Sequence, residues 1–116
     1  MNANDRALLL DMLEFARRIE RRVAGHTRAD LELDDEALGG LIVRELAVIG
    51  EAANHLSAEF QASFPEIPAA VLVGMRNRLV HGYRSVNWDI VWASATVHIP
   101  VLIERIEAIL SDAEHA

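Results

Sequence analysis

The sequence predicts an all-α domain, a bundle of four or five helices, on three observations. Apolar residues occupy 52% of the 116 positions, yet only three Phe, two Trp and one Tyr are among them. The core must therefore be assembled from Leu, Ile, Val and Ala. Six glycines and three prolines are too few for the turns of an all-β chain or for a disordered one. Apolar residues also recur at three- and four-residue steps, the repeat that places side chains on one face of a helix. Strand-like alternation is missing.

A first amphipathic helix is expected over residues 4 to 24. Leu9, Met12, Leu13, Ala16, Ile19 and Val23 form its apolar face, and Asp11, Glu14, Arg17, Arg18 and Arg21 fill the other. Asn2 or Asn4 would cap it and Gly25 would end it. His26 to Asp30 reads as a polar link. A second long helix is expected from Asp34 or Asp35 to about Phe60, with Leu41, Ile42, Leu46, Ile49, Ala53 and Leu56 facing inward. Gly39 and Gly40 inside that pattern either loosen its first turns or admit another backbone. Gly50, Ala52 and Ala53 form a small-residue patch suited to close helix packing. Glu51 lies within it, partly buried and paired on this reading, and is compatible with a structural or a functional role.

Pro68 suits the first position of a third helix, expected to run from Pro68 or Ala69 to His81 and to stop at Gly82. Asn87 caps a fourth, from Trp88 to Leu110, with Asp89 in its first turn. Pro100 interrupts that helix and predicts a kink about one turn earlier. Trp88 and Trp92 read as core or interface anchors. Residues 111 to 116 are expected to fray. The result is one domain over residues 1–116 with an ordered core of about 4–110.

Charge singles out one stretch. The chain carries a net charge of −7, which argues against coating nucleic acid over its whole surface. Residues 75 to 84 invert that sign. Met75-Arg76-Asn77-Arg78-Leu79-Val80-His81-Gly82-Tyr83-Arg84 holds three arginines, a histidine and the single tyrosine, with no carboxylate. Guanidinium groups bind phosphate through paired hydrogen bonds and stabilise charge developing on it. A histidine near neutral pKa moves protons in transesterification. If the third helix runs through His81, Asn77 and His81 share a face and Arg76 lies roughly 140° away. One helix makes a loose site, whereas two copies meeting across a two-fold axis would concentrate the arginines and histidines in one groove.

Other chemistries find less support. There are no cysteines, which removes disulfides and thiolate sites and fits an intracellular protein. His26, His55, His81, His98 and His115 are scattered without metal-ligand spacing. No glycine-rich phosphate loop, Gly-x-Ser-x-Gly elbow, zinc-finger pattern or membrane-spanning run is present. A cytoplasmic protein is expected.

Arg76, four intervening residues, His81, Gly82 and Tyr83 make an Arg-x4-His-x-Tyr motif. Around it lie Val-Ile-Gly-Glu-Ala-Ala at 48–53, Pro-Glu-Ile-Pro at 65–68, Gly-Met-Arg-Asn at 74–77 and Trp-Asp-Ile-Val-Trp at 88–92. In this order and spacing, the chain resembles the HepT-type toxins of the HEPN superfamily over roughly residues 6 to 110. Ala69 departs from the tryptophan expected after Ile-Pro, and Gly39-Gly40 is unusual for the second helix.

The resemblance implies a homodimeric, metal-independent endoribonuclease of a toxin–antitoxin system, with its cleft at the dimer interface and no cofactor. Arg76 and His81 would be its catalytic pair, with Asn77 orienting or assisting them. Tyr83 would accept AMP from a nucleotidyltransferase antitoxin of the MntA type, and the added charge and bulk would block the site. Arg78 and Arg84 would steer RNA phosphate, and Glu51 matches a family position that would support the site. The alternative is a non-catalytic helical subunit that docks a nucleotidyltransferase. A purely structural helical dimer would leave the carboxylate-free motif without purpose.

Overall fold

The computed structural model describes residues 1–81 and 85–115, with His81 and His115 described through their backbone. Seven α-helices occur among them: α1 (Ala3–Val23), α2 (Arg28–Leu33), α3 (Leu38–Asn54), α4 (Ala58–Ser63), α5 (Ala69–Arg78), α6 (Trp88–Ala93) and α7 (Ile99–His115). A π-helical turn, Ser94–His98, joins α6 to α7. Strands β1 (Val80–His81) and β2 (Ser85–Val86) form an antiparallel ladder in which Val80 pairs with Val86 and His81 with Ser85. The all-α bundle expected from the sequence is therefore present, with short helices and one small ladder added to it.

The core follows the predicted faces except at Leu41, which is exposed at the start of α3 instead of facing inward. Leu9, Met12, Ala16 and Ile19 of α1 are fully buried, as are Ile42, Leu46, Ile49 and Ala53 of α3. Val91 and Ile106 close it from α6 and α7. Trp88 and Trp92 pack half-buried against this core, consistent with the anchoring expected of them. Helices α1 and α3 run antiparallel. At one end, the backbone N–H and hydroxyl of Ser57, just past α3, donate to the buried Asp5 carboxylate at 2.9 and 2.7 Å. At the other, Arg22 pairs with the buried Glu45.

Helix boundaries depart from expectation where tertiary contacts override local preference. Asn2 caps α1 by accepting from the Asp5 N–H at 2.7 Å, and Gly25 follows its end at φ 77°. The link after it contains α2, fixed by a reciprocal cap between Thr27 and Asp30. The second helix begins later than predicted, at Leu38, and stops at Asn54 instead of reaching Phe60. Ser57 then caps α4 through the Phe60 N–H, because its hydroxyl is already held by Asp5. Gly39 admits a neighbour, as one of the two readings had it. A Cβ there would lie 2.6 Å from Trp88 Cη2 and collide with the Leu31 carbonyl.

The fourth helix runs unbroken from Trp88, with a π turn at Ser94–His98, about one turn before Pro100, where the interruption was expected. Asn87 caps it as predicted, accepting from the Ile90 N–H at 3.2 Å. Pro100 has no N–H to donate one turn back, and the π turn lies over the residues just before it. Beyond Leu110, α7 continues to His115, where fraying was expected.

Candidate functional site: an arginine held between two helices

The site is built where α5 crosses α3. Gly50 makes the crossing close: a Cβ on it would lie 2.5 Å from Arg76 Cβ and 3.0 Å from the Leu72 carbonyl oxygen. Leu72 and Met75 anchor the inner face of α5. Arg76, one residue beyond Met75, consequently lies along α3, and its guanidinium NH1 pairs with Glu51 Oε2. Its Nε and NH2 also face Asn77 Oδ1, at 3.4 and 3.2 Å. The side chain of Arg76 remains 30% exposed and that of Glu51 54%, so this guanidinium is held yet reachable from solvent.

Glu51 is thus paired, as expected, but exposed rather than partly buried. Its second oxygen, Oε1, lies 3.2 Å from Nε2 of His55, one helical turn further along α3. The motif is carboxylate-free only along the sequence, since the fold supplies Glu51 to it from another helix. Sequence reading grouped His55 with the scattered histidines. The signal that could have placed it was its four-residue step from Glu51 on one helix.

The third helix does not reach His81, contrary to expectation. It ends at Arg78, and the Leu79 N–H bonds back to the Arg76 carbonyl in a tightened last turn. The Leu79 carbonyl then accepts from the Asn87 N–H at 2.8 Å, and Val80–His81 enters the ladder with Ser85–Val86. Asn77 and His81 therefore do not share a helical face. Stopping the helix places the His81 backbone on a strand, three residues beyond Arg78. Gly82, Tyr83 and Arg84, and the expectations placed on them, lie outside the described residues.

Arg78 points away from Arg76. Two residues along a helix is a turn of about 200°, and Arg78 lines a groove between α5 and the α6–α7 segment. Its Nε donates to the Gly74 carbonyl at 3.3 Å. Val71 (61% exposed), Val97 (59%) and Val101 also line this groove. Two basic faces thus flank α5, one polar and occupied by Glu51, the other bordered by apolar side chains.

Among the described residues no group of three or more His, Asp or Glu is placed to hold a metal ion. Nor is any helix among them long and apolar enough to cross a membrane.

An all-helical bundle that suspends a solvent-reachable arginine over a carboxylate, immediately before a histidine-bearing strand, is of a class suited to binding anionic ligands. The family described as Ribonuclease HepT-like matches residues 12–109, and the chain belongs to that family. A Methanocaldococcus jannaschii protein named as a candidate RNase is 33% identical over 109 residues, covering 94% of this chain and 89% of its own. One from Caldanaerobacter subterraneus subsp. tengcongensis, similarly named, is 33% identical over 105 residues, 90% of this chain and 93% of its own. A Thermococcus cleftensis protein named as a candidate ribonuclease HepT is 33% identical over 66 residues, 57% of this chain and 60% of its own. No solved structure matches the chain.

Proposed function

We propose that this protein is the toxin of a toxin–antitoxin pair, an endoribonuclease that needs no metal ion and acts as a homodimer. The observation that carries this reading is the placement of Arg76. The close α3–α5 crossing at Gly50 fixes its stem, and Glu51 and Asn77 orient its guanidinium.

The reaction is attack of an RNA 2′-hydroxyl oxygen on the adjacent phosphorus. A new P–O2′ bond forms, the P–O5′ bond breaks, and a 2′,3′-cyclic phosphate and a 5′-hydroxyl result. Arg76 stabilises the charge on the phosphorane-like transition state. His81 takes the proton from the 2′-hydroxyl and returns one to the leaving oxygen. Asn77 assists by holding the guanidinium plane. Arg78 and Arg84 draw in RNA phosphates, and the acidic remainder of the chain limits binding elsewhere.

The homodimer is supported by the exposed apolar strip beside α5. Val71, Val97 and Val101 border Arg78, so a second copy seated there would cover them and bring the two Arg78 side chains together, with Arg76 on the other side of α5. Regulation falls on Tyr83, through the phosphodiester chemistry of a nucleotidyltransferase antitoxin of the MntA type. The tyrosine oxygen forms a bond to the α-phosphorus of ATP and pyrophosphate leaves. The transferred AMP adds negative charge beside the arginines, where it excludes RNA.

The test is RNA cleavage by the purified protein in excess EDTA, beside Arg76→Ala and His81→Ala. Cleavage by the native protein and its loss in both variants is expected. Intact RNA with the native protein, or equal cleavage by the variants, overturns the assignment. In that event, retained binding to a nucleotidyltransferase would identify a non-catalytic docking subunit instead. Intact mass after treatment with the transferase and ATP should show an adduct that disappears in Tyr83→Phe.

A further inference from the structure

We propose that His55 is a second phosphate-binding residue of the site, contacting the RNA phosphodiester next to the one held by Arg76. This rests on the ribonuclease reading above. One carboxylate carries the geometry: Glu51 Oε2 accepts from Arg76 NH1, while Glu51 Oε1 lies 3.2 Å from His55 Nε2. Two groups able to carry positive charge, one from α5 and one from the end of α3, are thereby bound side by side.

The backbone keeps the imidazole there. His55 caps α3 with helical dihedrals, φ −95° and ψ −3°, and its N–H donates to the Ala52 and Ala53 carbonyls. Its side chain projects in the same direction as that of Glu51, one turn earlier. That side chain is 62% exposed and lies outside the apolar core, so packing does not account for its position. A surface Glu–His pair at this spacing stabilises a helix only slightly, and the crossing at Gly50 already fixes α3 against α5. What the pair adds is an imidazole held beside the arginine.

Charge then selects the ligand. With the imidazole protonated, Arg76, Glu51 and His55 together carry one net positive charge, on a surface reached from solvent. Single-stranded RNA offers one negative charge per nucleotide. A strand that places one phosphate on Arg76 presents the next to a neighbouring cation, and His55 is the group positioned to receive it.

The test uses binding alone, with a fluorescent single-stranded 2′-O-methyl oligoribonucleotide that cannot undergo 2′-attack. Affinity is measured against salt at pH 5.5. Single strands change log K by about −0.7 per log unit of salt for each neutralised phosphate. His55→Ala is therefore expected to make the slope shallower by about 0.7 and to weaken binding several-fold. His55→Gln, which retains a hydrogen-bonding group beside Glu51 but no charge, should behave alike. His26→Ala removes an exposed imidazole at the opposite end of the bundle and should leave both quantities unchanged. An unaltered slope and affinity in both His55 variants, with binding still weakened in Arg76→Ala, overturns the role of His55 and leaves the ribonuclease reading standing. An equal loss in His26→Ala also overturns it, because the contribution would be diffuse charge. If Arg76→Ala too binds as the native protein does, the reading beneath it fails as well.

Discussion

Gly50 and Arg76 are in such close register across the α3–α5 crossing that a single methyl group on the glycine would lie 2.5 Å from the arginine Cβ. This one contact joins packing to chemistry, since the same approach that lets the helices nest also lays the guanidinium across Glu51.

Gly50→Ala should therefore destabilise the fold by about 1–3 kcal/mol, the usual cost of overpacking a close contact. It should also lower RNA cleavage by displacing Arg76. Gly74, on α5, gives the contrast: a Cβ there meets nothing within 4 Å. Gly74→Ala should stabilise by about 0.5–1 kcal/mol through helix propensity alone. Urea unfolding of the two variants beside the native protein checks both. Equal effects at the two positions would show that the crossing is not tight.

The pair between Arg22 and Glu45 should behave as a buried charge with one end in water. Glu45 is 3% exposed, while the Arg22 side chain retains 34% of its surface. Arg22→Ala strands the carboxylate. Since water can enter where the arginine leaves, a loss of about 1–3 kcal/mol is expected, below the ~3–5 of a fully enclosed pair. Replacing both partners, Arg22→Met with Glu45→Leu, should recover most of it. A double variant as unstable as the single one would count against this account.

Asp30 supplies a test by titration. Its carboxyl is held below the ordinary value of 3.8, chiefly by the Thr27 backbone N–H and then by His26. The ionised form is thus favoured in the folded chain. Any stabilisation it gives is complete above the unfolded value and lost as pH falls through the lower folded one. Carboxyl-carbon NMR should find a midpoint below 3.8. His26→Ala should raise it only part of the way, because the Thr27 N–H, at 2.9 Å, remains.

The sequence made legible those features that depend on neighbours in the chain. The span of α1 follows from its apolar step, its Asn2 cap and Gly25, and Asn87 marks the start of α6. Where it failed, the deciding partner lay far away. Local preference carries the second helix past Asn54, but Ser57 is taken by Asp5, 52 residues earlier. It carries the third through His81, but Leu79 is taken by Asn87 and Val80 by Val86. The site divides in the same way. Arg76, Asn77 and Arg78 stand out as a basic run, whereas the engagement of Arg76 by Glu51 needs two helices to meet. No periodicity within one segment reports that.

The π turn at Ser94–His98 acts as a phase shifter. Val91, Ala95 and Ile99 are all buried at two successive four-residue steps, which would drift by about 80° around an ideal α-helix. The wider turn absorbs that drift. On the outer side, Val97, Val101 and Arg105 follow the same spacing along the groove. Interior and exterior are thus geared to one surplus residue, and neither can be re-timed alone. Deleting one residue between 94 and 98 would remove that surplus, replacing the π turn by a plain α-helical one while the faces of α7 stay in register.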